Sequence, residues 1–184
     1  MTNPLVALDL LIPDAILDVR YATKNNMTGR PLYPFAAAYL RQSTANMLVK
    51  AAATLRQRRL RLVVFDAYRP LSVQRLLWQA KPSRRYVAPP DRGSSHNRGG
   101  GIDVALASLD GTRLEMPTGF DDFGPRARHG ADGVPVEARR NADLLKSVLE
   151  AAGFKSLVDE WWHYHDPASK EWPLLDVPFE ELAR

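Results

Sequence analysis

Apolar residues recur at helical spacing between residues 39 and 59. Leu40, Leu48, Ala51, Ala52 and Leu55 fall on one face, and no Pro or Gly interrupts them. The pattern predicts an amphipathic helix. Residues 61–67 then run Arg-Leu-Val-Val-Phe-Asp-Ala, a short apolar stretch that reads as a strand. Pro70 follows, and Ser72 or a neighbour can cap a second helix reaching about Ala80. Residues 81–95 are rich in Pro, Ser, Arg and Gly and read as a loop. From 101 to 107 Ile102, Val104 and Leu106 alternate with Asp103 and Ala105, the signature of a half-buried strand.

A long segment over 108–135 carries many Gly, Pro and Asp residues and reads as a loop of the kind that often holds functional groups. Residues 136–152 predict a third helix, with Leu144, Leu145, Val148 and Leu149 as its apolar stripe and Gly153 as its stop. Residues 157–165 form an aromatic-rich strand ended by Pro167. Residues 1–37 read as irregular chain with a short strand near residues 17–21. Strands and helices do not alternate regularly, which predicts an α+β fold with a central antiparallel sheet flanked by helices.

The length of 184 residues fits one domain over 1–184. There is no cysteine, which excludes disulfides, thiolate metal sites and a cysteine nucleophile. Any metal must therefore be held by carboxylates and by His96, His129, His163 or His165. The net charge of +4 is mild. Its densest cluster, Arg56, Arg58, Arg59 and Arg61, has no interleaved aromatics and reads as a solvated helix end, so no nucleic-acid partner is expected. No eighteen apolar residues run together, so no membrane helix is expected. The first residues lack a basic and then apolar leader pattern, which makes the cytoplasm the expected compartment.

Two segments concentrate reactive groups: Ser94-Ser-His96-Asn-Arg-Gly-Gly-Gly-Ile-Asp103 and Asp159-Glu160-Trp-Trp-His163-Tyr-His165. Catalytic zinc sites take three nitrogen or oxygen ligands and keep one position for water, and two imidazoles with one carboxylate meet that need. Three consecutive glycines permit an unusual backbone between His96 and Asp103. Taken singly, His96 also reads as a loop histidine, Asp103 as an exposed carboxylate and His163 as a core histidine; their joint occurrence is what points to a metal. Glu160 is a candidate general base. Strict alternation would put Glu160 and His163 on opposite faces, so either a bulge intervenes or Glu160 precedes the regular strand. His165 is an alternative ligand or a structural residue, and His129 reads as solvated or near the site mouth. Arg69, at a strand end before Pro70, could stabilise an oxyanion or simply pair with Asp66. Asp121 or Asp122 in the long loop could receive an ammonium group.

These blocks resemble the D-alanyl-D-alanine dipeptidases, zinc metallopeptidases related to D-Ala-D-Ala carboxypeptidases and to the hedgehog fold. The family pattern Ser-x-His-x-x-Gly-x-x-x-Asp, with Glu-x-x-His far downstream, stands here as Ser94 to Asp103 and Glu160 to His163. Residues 20–29, 66–70, 118–122 and 141–154 fit the dipeptidase branch, so the resemblance covers nearly the whole chain. It implies one zinc per chain on His96, Asp103 and His163, with Glu160 as base and Arg69 stabilising the tetrahedral intermediate. Tyr21 and Asp121 match positions near the substrate ammonium, and Ser94 one near its carboxylate. The implied reaction is hydrolysis of a small D,D-dipeptide, D-Ala-D-Ala, and the implied fold is α+β with a central antiparallel sheet. A carboxypeptidase acting on longer cell-wall peptides and a non-catalytic zinc-stabilised binding module are the competing readings, and association of identical chains is left open. Gly100 and Gly101 depart from the family, which often has a small or polar residue and then Ala.

Overall fold

The computed structural model describes residues 4–84 and 86–183. Residues 1–3, part of the segment read as lacking a leader, lie outside these, as do Arg85 and Arg184. The chain opens with strand β1 (Leu5–Ala7), one helical turn α1 (Leu8–Leu11) and the two-residue strand β2 (Ile16–Leu17). Next come β3 (Tyr39–Arg41), helix α2 (Gln42–Gln57), β4 (Leu60–Asp66) and helix α3 (Leu71–Ala80). The second half holds β5 (Gly101–Ser108), helix α4 (Val136–Ala151), β6 (Lys155–Leu157), β7 (Glu160–His165) and a last turn α5 (Phe179–Leu182).

Five strands form the main sheet in the order β2-β4-β5-β7-β6. All its pairings are antiparallel except that of β2 with β4. The fold is therefore the expected α+β type, with one parallel pair at its edge. Helices α2 and α4 lie against each other and against the sheet. Leu48, Ala51 and Leu55 of α2 and Leu145, Val148 and Leu149 of α4 bury against Leu62, Val64, Ile102, Val104 and Leu106. Each such leucine contributes about 1.5–3 kcal/mol on burial. A second cluster gathers Tyr33, Tyr39, Tyr68 and Phe179 and draws the C-terminal segment over the N-terminal one. Among the described residues no helix is long and apolar enough to cross a membrane.

Several local expectations are corrected. The helix expected from residue 39 starts at Gln42, because Tyr39–Arg41 pair with β1 (Leu5 opposite Arg41). The strand near 17–21 is confined to Ile16–Leu17, and Tyr21 lies in a 3-10 turn. No Ser72 side chain caps α3; Asp176 Oδ1, from far along the chain, accepts the Ser72 N–H at 2.7 Å. β5 is buried at every position from Gly101 to Ala107 rather than half-buried, since helices cover one face and the long loop the other. The expected strand 157–165 divides at residues 158 and 159 into a hairpin of β6 and β7, with Leu157 opposite Glu160. Arg56 of the basic cluster pairs with Asp14 at 2.5 Å, as a solvated helix end does.

Candidate metal and catalytic centre

A row of polar side chains crosses the sheet. Asp66 stands opposite Asp103, and Asp103 stands opposite His163. Residues directly opposed on antiparallel strands share a face, so this register brings Asp103 and His163 together. His163 Nδ1 lies 2.9 Å from Asp103 Oδ1. His96 enters from the turn that precedes β5. Its Nε2 is 3.1 Å from His163 Nδ1 and 3.4 Å from Asp103 Oδ1. The turn is set by Gly99 (φ 72°), where a Cβ would lie 2.7 Å from Leu5 Cδ2, so the left-handed backbone and the close approach both require glycine.

One ligand atom from each of His96, Asp103 and His163 lies within 4.8 Å of the others. Two imidazole nitrogens and a carboxylate form the donor set of a catalytic zinc site, and all three residues are buried among groups that fix their direction. His96 Nδ1 donates to the Ala67 carbonyl at 2.6 Å, which leaves Nε2 facing the centre. Burial works against the charge on Asp103, but the two histidines beside it hold its carboxyl below the usual range. Burial pulls His163 down, towards the neutral form that a ligand needs, whereas at His96 burial is outweighed by Asp103 and the value is raised.

The three residues line a cavity of about 480 Å³ together with Tyr21, Arg69, Ser94, Asp121 and Glu160. The eight residues to which the resemblance gives site roles thus line one cavity. The parity difficulty at Glu160 resolves locally. Glu160 is the first residue of β7, and the register with β6 shifts between Ser156 and Leu157. Trp162 and His163, neighbours in sequence, both line the cavity, so alternation slips there. Burial pushes the Glu160 carboxyl up to about 8, helped by the charges of Asp103 and Asp121.

Arg69 combines both readings offered for it. Its Nη2 and Nε donate to Asp66 Oδ2 at 2.6 and 3.0 Å, and Nη1 donates to Gln74 Oε1 at 2.8 Å. The guanidinium still faces the cavity and lies 5.0 Å over the Tyr21 ring. Burial disfavours its charge, but Asp66 more than compensates. Tyr21 OH donates to Asp121 Oδ2 at 2.9 Å. Burial raises the Asp121 carboxyl to about 7 although Tyr21 opposes this. The loop presenting Asp121 is clamped by aromatics: Phe120 against Phe65 and Trp162, and Phe123 against Trp162 and Tyr86. Ser94 donates through N and Oγ to Asn97 Oδ1 at 2.8 and 3.1 Å.

A family model described as D-Ala-D-Ala dipeptidase matches residues 1–183. The chain belongs to this family. It is 37% identical over 178 residues to a D-alanyl-D-alanine dipeptidase of Escherichia coli (strain K12), covering 97% of this chain and 92% of that relative. It is 30% identical to a D-alanyl-D-alanine dipeptidase of Enterococcus faecalis (strain ATCC 700802 / V583), covering 98% and 96%. The LdcB LD-carboxypeptidase structure shares the fold at TM-score 0.50 and 18% identity, covering 92% of this chain and 72% of that one.

Against this family background the supporting residues stand out. Asp66, the expected partner of Arg69, is fully buried and also accepts from Tyr33 OH at 2.6 Å. Asn97 donates to the Arg69 carbonyl at 2.9 Å and so ties the Ser94 loop to the Arg69 strand end. Gln74 spans Arg69 and the Ala88 carbonyl. No sequence signal separates Asn97 and Gln74 from ordinary polar residues. His165 lines the cavity beside His163, with ring centroids 5.9 Å apart, but is not one of the three clustered ligands. His129 is neither solvated nor at the mouth. Its ring nitrogens are buried, and it packs edge-on to Tyr164 at 6.3 Å.

Proposed function

We propose that residues 1–184 form a single zinc dipeptidase domain that hydrolyses free D-Ala-D-Ala to two D-alanines in the cytoplasm. The observation that carries the reading is the convergence of three ligand residues, a raised carboxyl and a fixed guanidinium on one cavity. Zinc held by His96, Asp103 and His163 would supply a Lewis acid that polarises the scissile carbonyl and acidifies the attacking water. Glu160 takes a proton from that water and returns it to the leaving amine, a role suited to a carboxyl whose ordinary acidity is weakened by burial. Arg69, forked onto Asp66, presents its guanidinium where negative charge develops on the carbonyl oxygen.

Asp121 receives the substrate ammonium, with Tyr21 orienting its carboxylate. An arriving cation favours the ionised form that burial alone disfavours. Ser94, at the cavity wall, would turn its hydroxyl from Asn97 Oδ1 to the substrate carboxylate end. This need for a free ammonium favours a dipeptidase over an enzyme acting on longer peptides.

The test is release of D-alanine from D-Ala-D-Ala with and without a chelator, beside L-Ala-L-Ala and N-acetyl-D-Ala-D-Ala. Chelator-sensitive release from the free D,D-dipeptide alone is expected. Efficient cleavage of the acetylated dipeptide would favour the carboxypeptidase reading. No release from any of them by the zinc-loaded chain would defeat the catalytic reading.

A further inference from the structure

We propose that Ser95 is a positioning residue for His163 and that Gly101 makes its action sterically feasible. The inference rests on the reading of His163 as a zinc ligand. Ser95 Oγ lies 3.3 Å from His163 Nε2. The other ring nitrogen, Nδ1, is the one clustered with Asp103 and His96. A neutral imidazole carries one N–H and one lone pair, so a bond made at one nitrogen decides what the other offers. When Nε2–H donates to the Ser95 hydroxyl, the lone pair stands on Nδ1 and points at the centre. His96 is held in the complementary way, through Nδ1 on the Ala67 carbonyl.

The loop leaves the Ser95 hydroxyl little freedom. The Ser95 carbonyl accepts from the backbone N–H groups of Arg98, Gly100 and Gly101 at 3.2, 3.0 and 3.1 Å. These bonds fold residues 95–101 back on Ser95, so χ1 alone aims the hydroxyl. A Cβ built at Gly101 would lie 2.5 Å from Ser95 Oγ and 2.7 Å from His96 N. Both separations are shorter than a real Cβ tolerates, so a side chain at 101 forces the Ser95 hydroxyl away from its present place and shifts the His96 backbone with it. Serine and glycine therefore act as one unit. Ser94 is not an equivalent of its neighbour, because its hydroxyl is engaged with Asn97.

The test compares the native chain with Ser95→Ala, Ser95→Thr, Gly101→Ala and the Ser95→Ala/Gly101→Ala double variant. Zinc affinity is measured by chelator competition, and water exchange of the His163 Nε2 proton by NMR of the zinc-loaded chain. Ser95→Ala is expected to weaken zinc about 10–100-fold, as loss of a hydrogen bond to a ligating histidine does, and to speed Nε2–H exchange. Ser95→Thr, which keeps the hydroxyl, is expected to restore most of both. In the Gly101→Ala background the further cost of Ser95→Ala is expected to be small, because the hydroxyl is already displaced. Unchanged affinity and exchange in Ser95→Ala, with the native chain binding zinc, overturn this inference and leave the metal reading standing. Equal cost of Ser95→Ala in both backgrounds overturns the part given to Gly101. A native chain that takes up no zinc overturns the metal reading, and this inference with it.

Discussion

Asp66→Asn tests what holds the Arg69 guanidinium against the cavity. Asp66 is fully buried and takes two donors of Arg69 on Oδ2, the closer at 2.6 Å, while Tyr33 OH donates to Oδ1. The substitution keeps the shape and removes the charge. Unit charges at that separation attract by about 6 kcal/mol in an effective dielectric of about 20, before the cost of burying them is counted. Removing one partner of a buried pair costs about 3–5 kcal/mol, because the other charge is left behind. Arg69 cannot escape by deprotonation. It keeps Gln74 Oε1, at 2.8 Å, as an acceptor, and the single amide oxygen of the asparagine must be shared with Tyr33 OH. The Asp66→Asn chain is expected to lose about 3 kcal/mol, read as a lower urea midpoint at unchanged slope. Its kcat/KM is expected to fall about 100-fold as the guanidinium loses its placement. A second chain, Asp66→Leu with Arg69→Met, removes both charges and is expected to regain most of the stability while staying inactive. A stability loss under about 1 kcal/mol in Asp66→Asn, the scale of an exposed pair, refutes the reasoning.

Further outcomes follow from the same geometry. Glu160→Gln is expected to lower kcat about 10²–10⁴-fold with zinc affinity retained; full activity would remove Glu160 as the base. In zinc-free protein, Glu160 and Asp121 are raised to about 8 and about 7, chiefly by burial. Both values lie above those of the unfolded chain, so these groups contribute stability that is complete below about pH 4 and is lost as pH rises towards 8. The urea midpoint of the native chain, taken relative to that of Glu160→Gln at each pH, should fall across that range; a rise in this difference would contradict the sign. Asp121→Asn removes a charge-assisted contact worth about 1.5–3 kcal/mol, and is expected to lower kcat/KM for D-Ala-D-Ala through KM, by steady-state kinetics. A KM unchanged from the native chain would place the ammonium elsewhere.

Much of the chemistry was legible in the sequence because it is written in residue types at short spacings. His96 and Asp103 flank a run of glycines, and Glu160 and His163 share one strand. The absence of cysteine narrowed any metal site to His and carboxylates. Less legible were the anchors. The Asp66 pair of Arg69 was within reach at three residues' spacing, but Gln74 and Asn97 also hold Arg69 from other segments, and Asp176 caps a helix more than a hundred residues earlier. Such partners carry no local pattern, since a buried polar residue looks like any other until its neighbours are known.

The sequence by itself determined the long helices α2 and α4, the strands β4 and β5 and, among the groups that meet in the cavity, the candidates His96, Asp103, His163, Glu160 and Arg69, with Tyr21 and Ser94 added by the resemblance to the family. Periodicity decides those elements because a helix or strand must bury its apolar face. Only the tertiary structure decided where Tyr39–Arg41 leave helical geometry, since β1 supplies their partner from another part of the chain. It also decided how Glu160 and His163 come to line one cavity, through a register shift that strict alternation forbids. The physical reason is the same in both cases. Backbone pairing between distant segments is stronger than the local preference it overrides, and it is fixed by packing that no window of sequence contains.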